Sequence, residues 1–218
     1  MNDLASLYQH RFDATELASK RRLWAVLCKH FFQRYVPADA TVLDLACGYG
    51  EFLAGIAAAR KHGLDLNPDS AAFAPPDARF HHGSAERIPE LSEASLDVVF
   101  CSNFLEHLPD KAAALRVFVE VRRLLKPGGR FLVLGPNIRA VPGAYWDFWD
   151  HHLPLSERSL AEGLLLSGFT LERVIPRFLP YSTKSRLPQA PVLVAAYLHF
   201  PLAWRLLGKQ FFVVARKP

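Results

Sequence analysis

The 218-residue chain has only three cysteines, Cys28, Cys47 and Cys101, and no two of them form a C-x-x-C pair. An odd, widely spaced set in apolar surroundings argues against a disulfide framework or a cysteine-ligated metal, and leaves reduced core thiols; no metal is expected. The opening Met1-Asn2-Asp3-Leu4 lacks the basic and apolar regions of a signal peptide, so a reducing cytoplasm is the expected compartment. An uninterrupted apolar run of about 20 residues is also missing. The nearest approach, Pro191 to Leu207, is apolar at 13 of 17 positions but contains Pro191, His199, Pro201 and Arg205. That argues against a membrane span and leaves three readings: a helical cap packed on the domain, a shallow peripheral membrane contact, or a dimer face. Charge of one sign is not in large excess either. The net +5 comes partly from Lys20-Arg21-Arg22 and from residues between Arg173 and Arg186, with no nucleic-acid-binding motif, so no nucleic acid partner is expected. Repeats and low-complexity tracts are absent.

The 50% hydrophobic and 22% charged residues suit one well-buried domain with an appended lobe. Leu17 to Tyr35 carries Trp24, Leu27, Cys28, Phe31 and Tyr35 on one helical stripe, a core-packing face. Tyr8, just upstream, is either a surface residue or part of a lid. From Thr41 strands and helices alternate, the pattern of a parallel sheet covered on both faces. Strands are expected at 41–45, 62–66, 79–82, 96–102, 130–135, 170–175 and 211–216, and helices at 51–60, 111–126 and 156–167. Ser156 suits an N-cap and Gly168 a C-cap.

The most informative segment is Thr41 to Leu53, T-V-L-D-L-A-C-G-Y-G-E-F-L. An apolar strand runs into Gly48 and Gly50, and Phe52, Leu53 and Ile56 then follow a helical pattern. Such a turn lets backbone approach a ligand closely. Asp44, inside the strand, decides which ligand. A dinucleotide would bring its pyrophosphate against that carboxylate and be repelled, whereas a cationic amino group would be attracted. S-adenosylmethionine carries such a group and no phosphate. Asp65, at the end of the next strand, can accept both hydroxyls of a ribose. The dinucleotide fingerprint also wants a small residue three positions after its second glycine, and Phe52-Leu53 do not supply it.

With these residues in register, the chain resembles the class I S-adenosylmethionine-dependent methyltransferases over about residues 36 to 136. The resemblance implies a Rossmann-like, doubly wound α/β fold. Its seven-stranded sheet would be mostly parallel, with an antiparallel last strand and helices on both faces. It further implies that Asp44, Ala46, Gly48 and Gly50 wrap the methionine part and that Asp65 and Leu66 face the ribose. Gly83-Ser84-Ala85-Glu86 looks like the adenine-contacting segment, Asn103 to Leu108 like the loop after the fourth strand, and Lys126 to Arg130 like the turn into the fifth. Ala46 stands where many members have glycine, and Ser84 where an acid often receives the adenine amino group, a task left to Ser84 or Glu86. His107 would sit at the cofactor edge or act structurally.

Two stretches exceed the minimal fold. Asn137 to Leu155 holds Tyr145, Trp146, Phe148 and Trp149 among Asp147, Asp150, His151 and His152. Aromatics so dense in a loop should pack on the domain or on a substrate. Tyr145, Trp146 and Trp149 are the candidate acceptor-pocket residues. His151 and His152, which titrate near neutrality, are the candidate general bases, with Asp150 or Asp147 acting directly or orienting them; surface histidines are the alternative. Pro176 to Lys209 puts far more chain between the last two strands than a hairpin needs, and its Lys184 and Arg186 could hold a phosphate or carboxylate. The expected organisation is a helical lid or cap at 1–40, a methyltransferase body at 41–175 and 210–218, and an insertion at 176–209. The expected activity is direct methyl transfer to a small-molecule or lipid-linked saccharide acceptor in the cytoplasm or at its membrane surface. A nicotinamide-dependent oxidoreductase and a non-catalytic membrane- or partner-binding adaptor are the rival readings.

Overall fold

The computed structural model describes residues 14–141, 143–180 and 190–218. Its strands are β1 (Thr41–Leu45), β2 (Arg60–Asp65), β3 (Ala78–His82), β4 (Leu96–Ser102), β5 (Leu125–Pro136), β6 (Thr170–Ile175) and β7 (Gln210–Arg216). They form one sheet in the order β3-β2-β1-β4-β5-β7-β6. Pairing is parallel from β3 through β5, and β7 runs antiparallel between β5 and β6. The expected fold class is therefore the observed one. The strand order reverses between β1 and β4, and ligands bind beyond the carboxyl ends of strands at such a reversal.

Alternation along the central strands sends side chains into two cores. Leu43, Leu45, Val99, Cys101, Phe131 and Val133 meet α3 (Lys111–Leu124) and α4 (Glu157–Leu166) on one face. Val42, Val98, Phe100, Leu132 and Phe212 meet α1 (Ala14–His30), α2 (Glu51–Gly55), α5 (Pro191–Leu198) and α6 (Pro201–Leu207) on the other. This second core is an aromatic stack. Phe52 lies flat on Phe100 with ring centroids 3.9 Å apart, and Trp24 meets both edge-on. Phe31 touches Phe178, Trp204 and Phe212. Each such pair adds about 0.5–1.5 kcal/mol beyond burial, so α1 and the α5–α6 pair are fixed to the sheet through aromatics.

Element ends differ from expectation, each for a local reason. The helix expected at 51–60 stops at Gly55, and β2 already begins at Arg60. A Cβ on Gly55 would stand 3.0 Å from Cys28 Sγ and 3.3 Å from the Trp24 carbonyl, so α1 crosses where the helix would have continued. α1 itself ends at His30 rather than Tyr35. Phe31 and Phe32 are both fully buried, and a tight turn at Phe32–Arg34 lets two consecutive rings enter the core that one helical stripe would have splayed apart. α3 stops at Leu124, because Lys126 to Gly129 bulge out of β5: the partner of Leu96 is Leu125 and that of Val98 is Arg130, with Gly128 at φ +80°.

The apolar 191–207 segment is two short helices, with a break before Pro201. Leu198 and Trp204 are buried, and Trp204 Nε1 donates to the Tyr197 carbonyl at 2.7 Å. No helix among the described residues is long and apolar enough to cross a membrane. Gly208 ends α6 against the Trp204 carbonyl and the Arg177 backbone, 2.5 and 2.6 Å from where a Cβ would sit. Gly208→Ala should therefore cost about 1–3 kcal/mol in urea denaturation. Gly143→Ala, whose Cβ would meet nothing within 4 Å, should be close to neutral.

Candidate functional site

The site begins where β1 ends. Asp44 lies in register with Gly63 of β2 and Phe100 of β4, and only 4% of it is exposed. Burial pushes its carboxyl well above the ordinary carboxylate range, and the nearby carboxylates of Glu51 and Asp65 push it further. Three acids thus surround the loop from Ala46 to Gly50. Ala46, Gly48 and Gly50 all adopt left-handed conformations, at φ 60°, 51° and 68°. Ala46 pays roughly 1–2 kcal/mol for a conformation that glycine adopts without strain. Beside Gly48 the space is open, since a Cβ there would meet no atom within 4 Å. Beside Gly50 it is closed by the Phe73 carbonyl at 3.0 Å. The turn therefore presents bare backbone at Gly48 and packs tightly at Gly50.

Asp65 closes this loop from the next strand. Its Oδ2 accepts the Gly48 amide at 2.8 Å and its Oδ1 the Asn67 amide at 2.8 Å. Each oxygen keeps a second lone pair, so the carboxylate can brace the loop and still accept hydroxyls. Leu66 beside it is exposed. Ser84 is exposed, its Oγ accepts the Glu86 amide, and Ala85 is buried beneath. Glu86 is drawn away to Arg116. Asn103 follows β4 directly, at φ 49°, and Gln210 of β7 donates to its Oδ1 at 2.6 Å.

The loop after β5 folds back onto the turn after β4. Glu106 is buried, accepts the Tyr145 hydroxyl at 2.8 Å on its carboxylate, and receives the amides of His152 and Leu153 on its backbone carbonyl. His107 Nδ1 donates to the Asp150 carbonyl at 2.9 Å, and His151 Nδ1 to the Tyr145 carbonyl at 2.8 Å. Carbonyls only accept, so both Nδ1 atoms carry protons. The two imidazoles meet edge to face with centroids 5.0 Å apart, and His151 also contacts the rings of Tyr145, Trp146 and Phe148. His107, Asp150 and His151 each bring one potential ligand atom within 4.8 Å of the others, a spacing a metal ion could bridge.

The predicted residues thus divide. Asp44, Ala46, Gly48, Gly50 and Asp65 converge on one loop; His107, Asp150, His151, Tyr145 and Trp146 form a second cluster. His152 and Asp147 are exposed, and Trp149 is 94% exposed. Tyr145 does not present its hydroxyl to a pocket, because Glu106 holds it. Tyr8, Lys184 and Arg186 lie outside the described residues. A cavity of about 90 Å³ between α3 and α4, lined by Ala114, Leu115, Phe118 and Leu160, takes in none of the predicted site residues.

A family profile described as a methyltransferase domain matches residues 43–133, the segment holding the acid-lined loop and the Asn103 turn. A probable S-adenosylmethionine-dependent methyltransferase of Mycolicibacterium smegmatis is 37% identical over 150 residues, covering 65% of this chain and 56% of that protein. Residues 43–133 thus match a methyltransferase domain, and the relative that extends the match is an S-adenosylmethionine-dependent methyltransferase. A ubiquinone/menaquinone biosynthesis C-methyltransferase of Rubrivivax gelatinosus is 36% identical over 141 residues, covering 62% of this chain and 49% of that protein. The matches thus span about half the length of these curated relatives. A SAM dependent methyltransferase from Archaeoglobus fulgidus shares the fold across 99% of this chain and 100% of its own, with a TM-score of 0.68 and 20% identity.

The residues of this site fit S-adenosylmethionine. Open space at Gly48 admits a ligand against backbone, and buried Asp44 with half-buried Glu51 and Asp65 suits a cationic one. Four participants escaped the sequence reading. Glu51 and Glu106 are acids beside motif residues already singled out, a signal present but unused. Lys20 of α1 reaches Glu51 at 3.3 Å and lies 5.4 Å above the Tyr49 ring, which only the fold reveals. Gln210 reaches Asn103 from β7, equally beyond sequence reach.

Burial raises the Glu106 carboxyl to about 7, above an ordinary value of 4.5, and Asp150 adds to the rise. The folded state therefore holds that proton more tightly than the unfolded chain. The associated stability is complete below about 4.5 and is lost as pH rises to about 7. Denaturation midpoints measured across this window should decline for the native chain, and Glu106→Gln should flatten that decline.

Proposed function

We propose that this chain transfers a methyl group from S-adenosylmethionine to a hydroxyl of a small-molecule or lipid-linked acceptor, a saccharide being the class we favour. The observation that carries this reading is the buried Asp44 carboxyl, with the half-buried acids Glu51 and Asp65 beside it, under an open glycine turn. A diphosphate would meet like charge there, which disfavours the nicotinamide reading; a cationic amino group meets a site built for it. When bound, S-adenosylmethionine supplies a methyl group on a positively charged sulfur, already activated for displacement.

The chain's own residues then have three tasks. Asp44 holds the ammonium of the methionine part, and Lys20, next to Glu51, offers positive charge to the neighbouring carboxylate. Asp65 accepts the ribose hydroxyls while its backbone bonds keep the Gly48 turn in shape. The cluster after β5 positions the acceptor. With its Nδ1 proton committed to the Tyr145 carbonyl, His151 has Nε2 as its basic nitrogen. His151 Nε2 takes the acceptor hydroxyl proton as the oxygen–methyl bond forms and the sulfur–methyl bond breaks. Alignment of this kind can supply about 7–11 kcal/mol of the acceleration. Residues 1–40 act as the lid or cap, 41–175 and 210–218 as the catalytic body and 176–209 as an insertion, with the reaction in the cytoplasm.

Two experiments test this reading. Burial favours the protonated form of the Asp44 carboxyl in the free protein, and an arriving cation favours its ionised form. Cofactor binding should therefore release a proton from Asp44 wherever the free carboxyl is protonated, and affinity should rise with pH until the raised value is passed. Calorimetry in buffers of different ionisation enthalpy reads this directly. Asp44→Asn should abolish the release and weaken binding about tenfold or more; unchanged affinity without proton release would remove Asp44 from the site. Secondly, transfer of labelled methyl into extracted small molecules and lipids should fall on the order of 10²–10⁴-fold in His151→Ala. His152→Ala should match the native chain, and both should bind cofactor normally. Equal loss in the two variants would refute the assignment of the base.

A further inference from the structure

The α5–α6 pair is held firmly on one side and bare on the other. Leu198 and Trp204 are buried among Phe31, Phe178 and Phe212. The Tyr197 hydroxyl donates to the Phe178 carbonyl, and Arg177 donates to the carbonyls of Gly208 and Arg205 at 3.0 and 3.1 Å. Opposite these contacts, Val192 and Leu206 are each 79% exposed, and Leu193, Phe200, Leu202 and Leu207 are exposed with them. Leu202 and Leu206 stand one turn apart with Arg205 between them, so the bare stripe follows a helical face. A rigid, anchored element that exposes six large apolar side chains has a surface to meet.

Charge selects what that surface is. From Pro176 to Lys209 the sequence contains no aspartate or glutamate, and it contains Arg177, Lys184, Arg186, Arg205 and Lys209. Arg205 on α6, His199 between the two helices and Lys209 just past α6 are exposed, and Arg34 lies against His199 at 3.5 Å. A second copy docked through a two-fold axis would bring these cations against their own equivalents. A bilayer with anionic headgroups meets both features at once, apolar side chains entering the acyl boundary and cations staying at the headgroups. We infer that α5 and α6 form a peripheral docking face for an anionic lipid bilayer. This goes beyond the methyl-transfer reading and does not depend on the identity of the acceptor.

The test is flotation of the full chain with phosphatidylcholine vesicles, alone or with about 30% phosphatidylglycerol, at physiological salt. The native chain should float with the anionic vesicles only, and added salt should weaken the association. A Leu202→Ser/Leu206→Ser variant should partition about tenfold less or lower. An Arg205→Glu/Lys209→Glu variant should lose at least about fivefold per reversed charge. Thermal melting should show all of them folded, since the substituted side chains are exposed, and cofactor binding should persist in each, which separates failure here from failure of the proposed chemistry. Absence of flotation, equal flotation on neutral vesicles, or retention by the leucine variant would overturn the inference. So would a native dimer that the leucine variant splits in sedimentation, which would assign the face to a second copy.

Discussion

A carboxylate buried at the end of β1 is the constraint on which the site depends. Asp44 stands between Gly63 and Phe100 in the middle of a parallel sheet, where water cannot solvate its charge. Glu51 and Asp65 add like charge from the next helix and the next strand. An acid in that position is stabilised by a proton or by a ligand cation, and only the second leads to chemistry. The glycine turn beside it leaves room at Gly48 for such a ligand, and the Asp65 bond to the Gly48 amide keeps that room from collapsing.

The rest of the molecule holds this arrangement still. Phe52, two positions past the turn, stacks on Phe100, the residue paired with Asp44, so loop, helix and sheet share one aromatic contact. α1 closes over it through Trp24 and carries Lys20 to Glu51. On the other side of the strand-order reversal, Gln210 orients Asn103, and Glu106 ties the loop after β5 to the turn after β4 through Tyr145. The glycine loop and the histidine cluster are therefore both built at the carboxyl ends of the central strands.

How much of this was legible followed from the range of each interaction. The β1 strand, the glycine turn and Asp65 follow one another closely along the chain, and local patterning suffices to place them. The fold class was legible because strands and helices alternate with the right periods. Helix ends were not: Gly55 ends α2 because Cys28 of the preceding helix stands against it, a contact between distant parts of the chain that no local pattern encodes. The two histidines also looked equivalent in sequence. The fold separates them by turning His151 into the ring cluster and His152 outward, after the chain is fixed to the Glu106 carbonyl. Trp149, dense in aromatic company along the chain, is left almost wholly exposed by the same turn. The apolar 191–207 stretch showed its composition but not its two-sidedness, which arises only once Trp204 meets Phe31 and Phe178.

The protonation state of one side chain tests the account most directly. Infrared or carbon NMR spectra of protein labelled at aspartate carboxyls, with Asp44→Asn for assignment, would report Asp44 at mildly acidic pH. The account predicts that the free protein holds the Asp44 proton to higher pH than an ordinary aspartate does, and that saturation with S-adenosylmethionine shifts the carboxyl toward its ionised form. An Asp44 signal unchanged by saturating cofactor would contradict it.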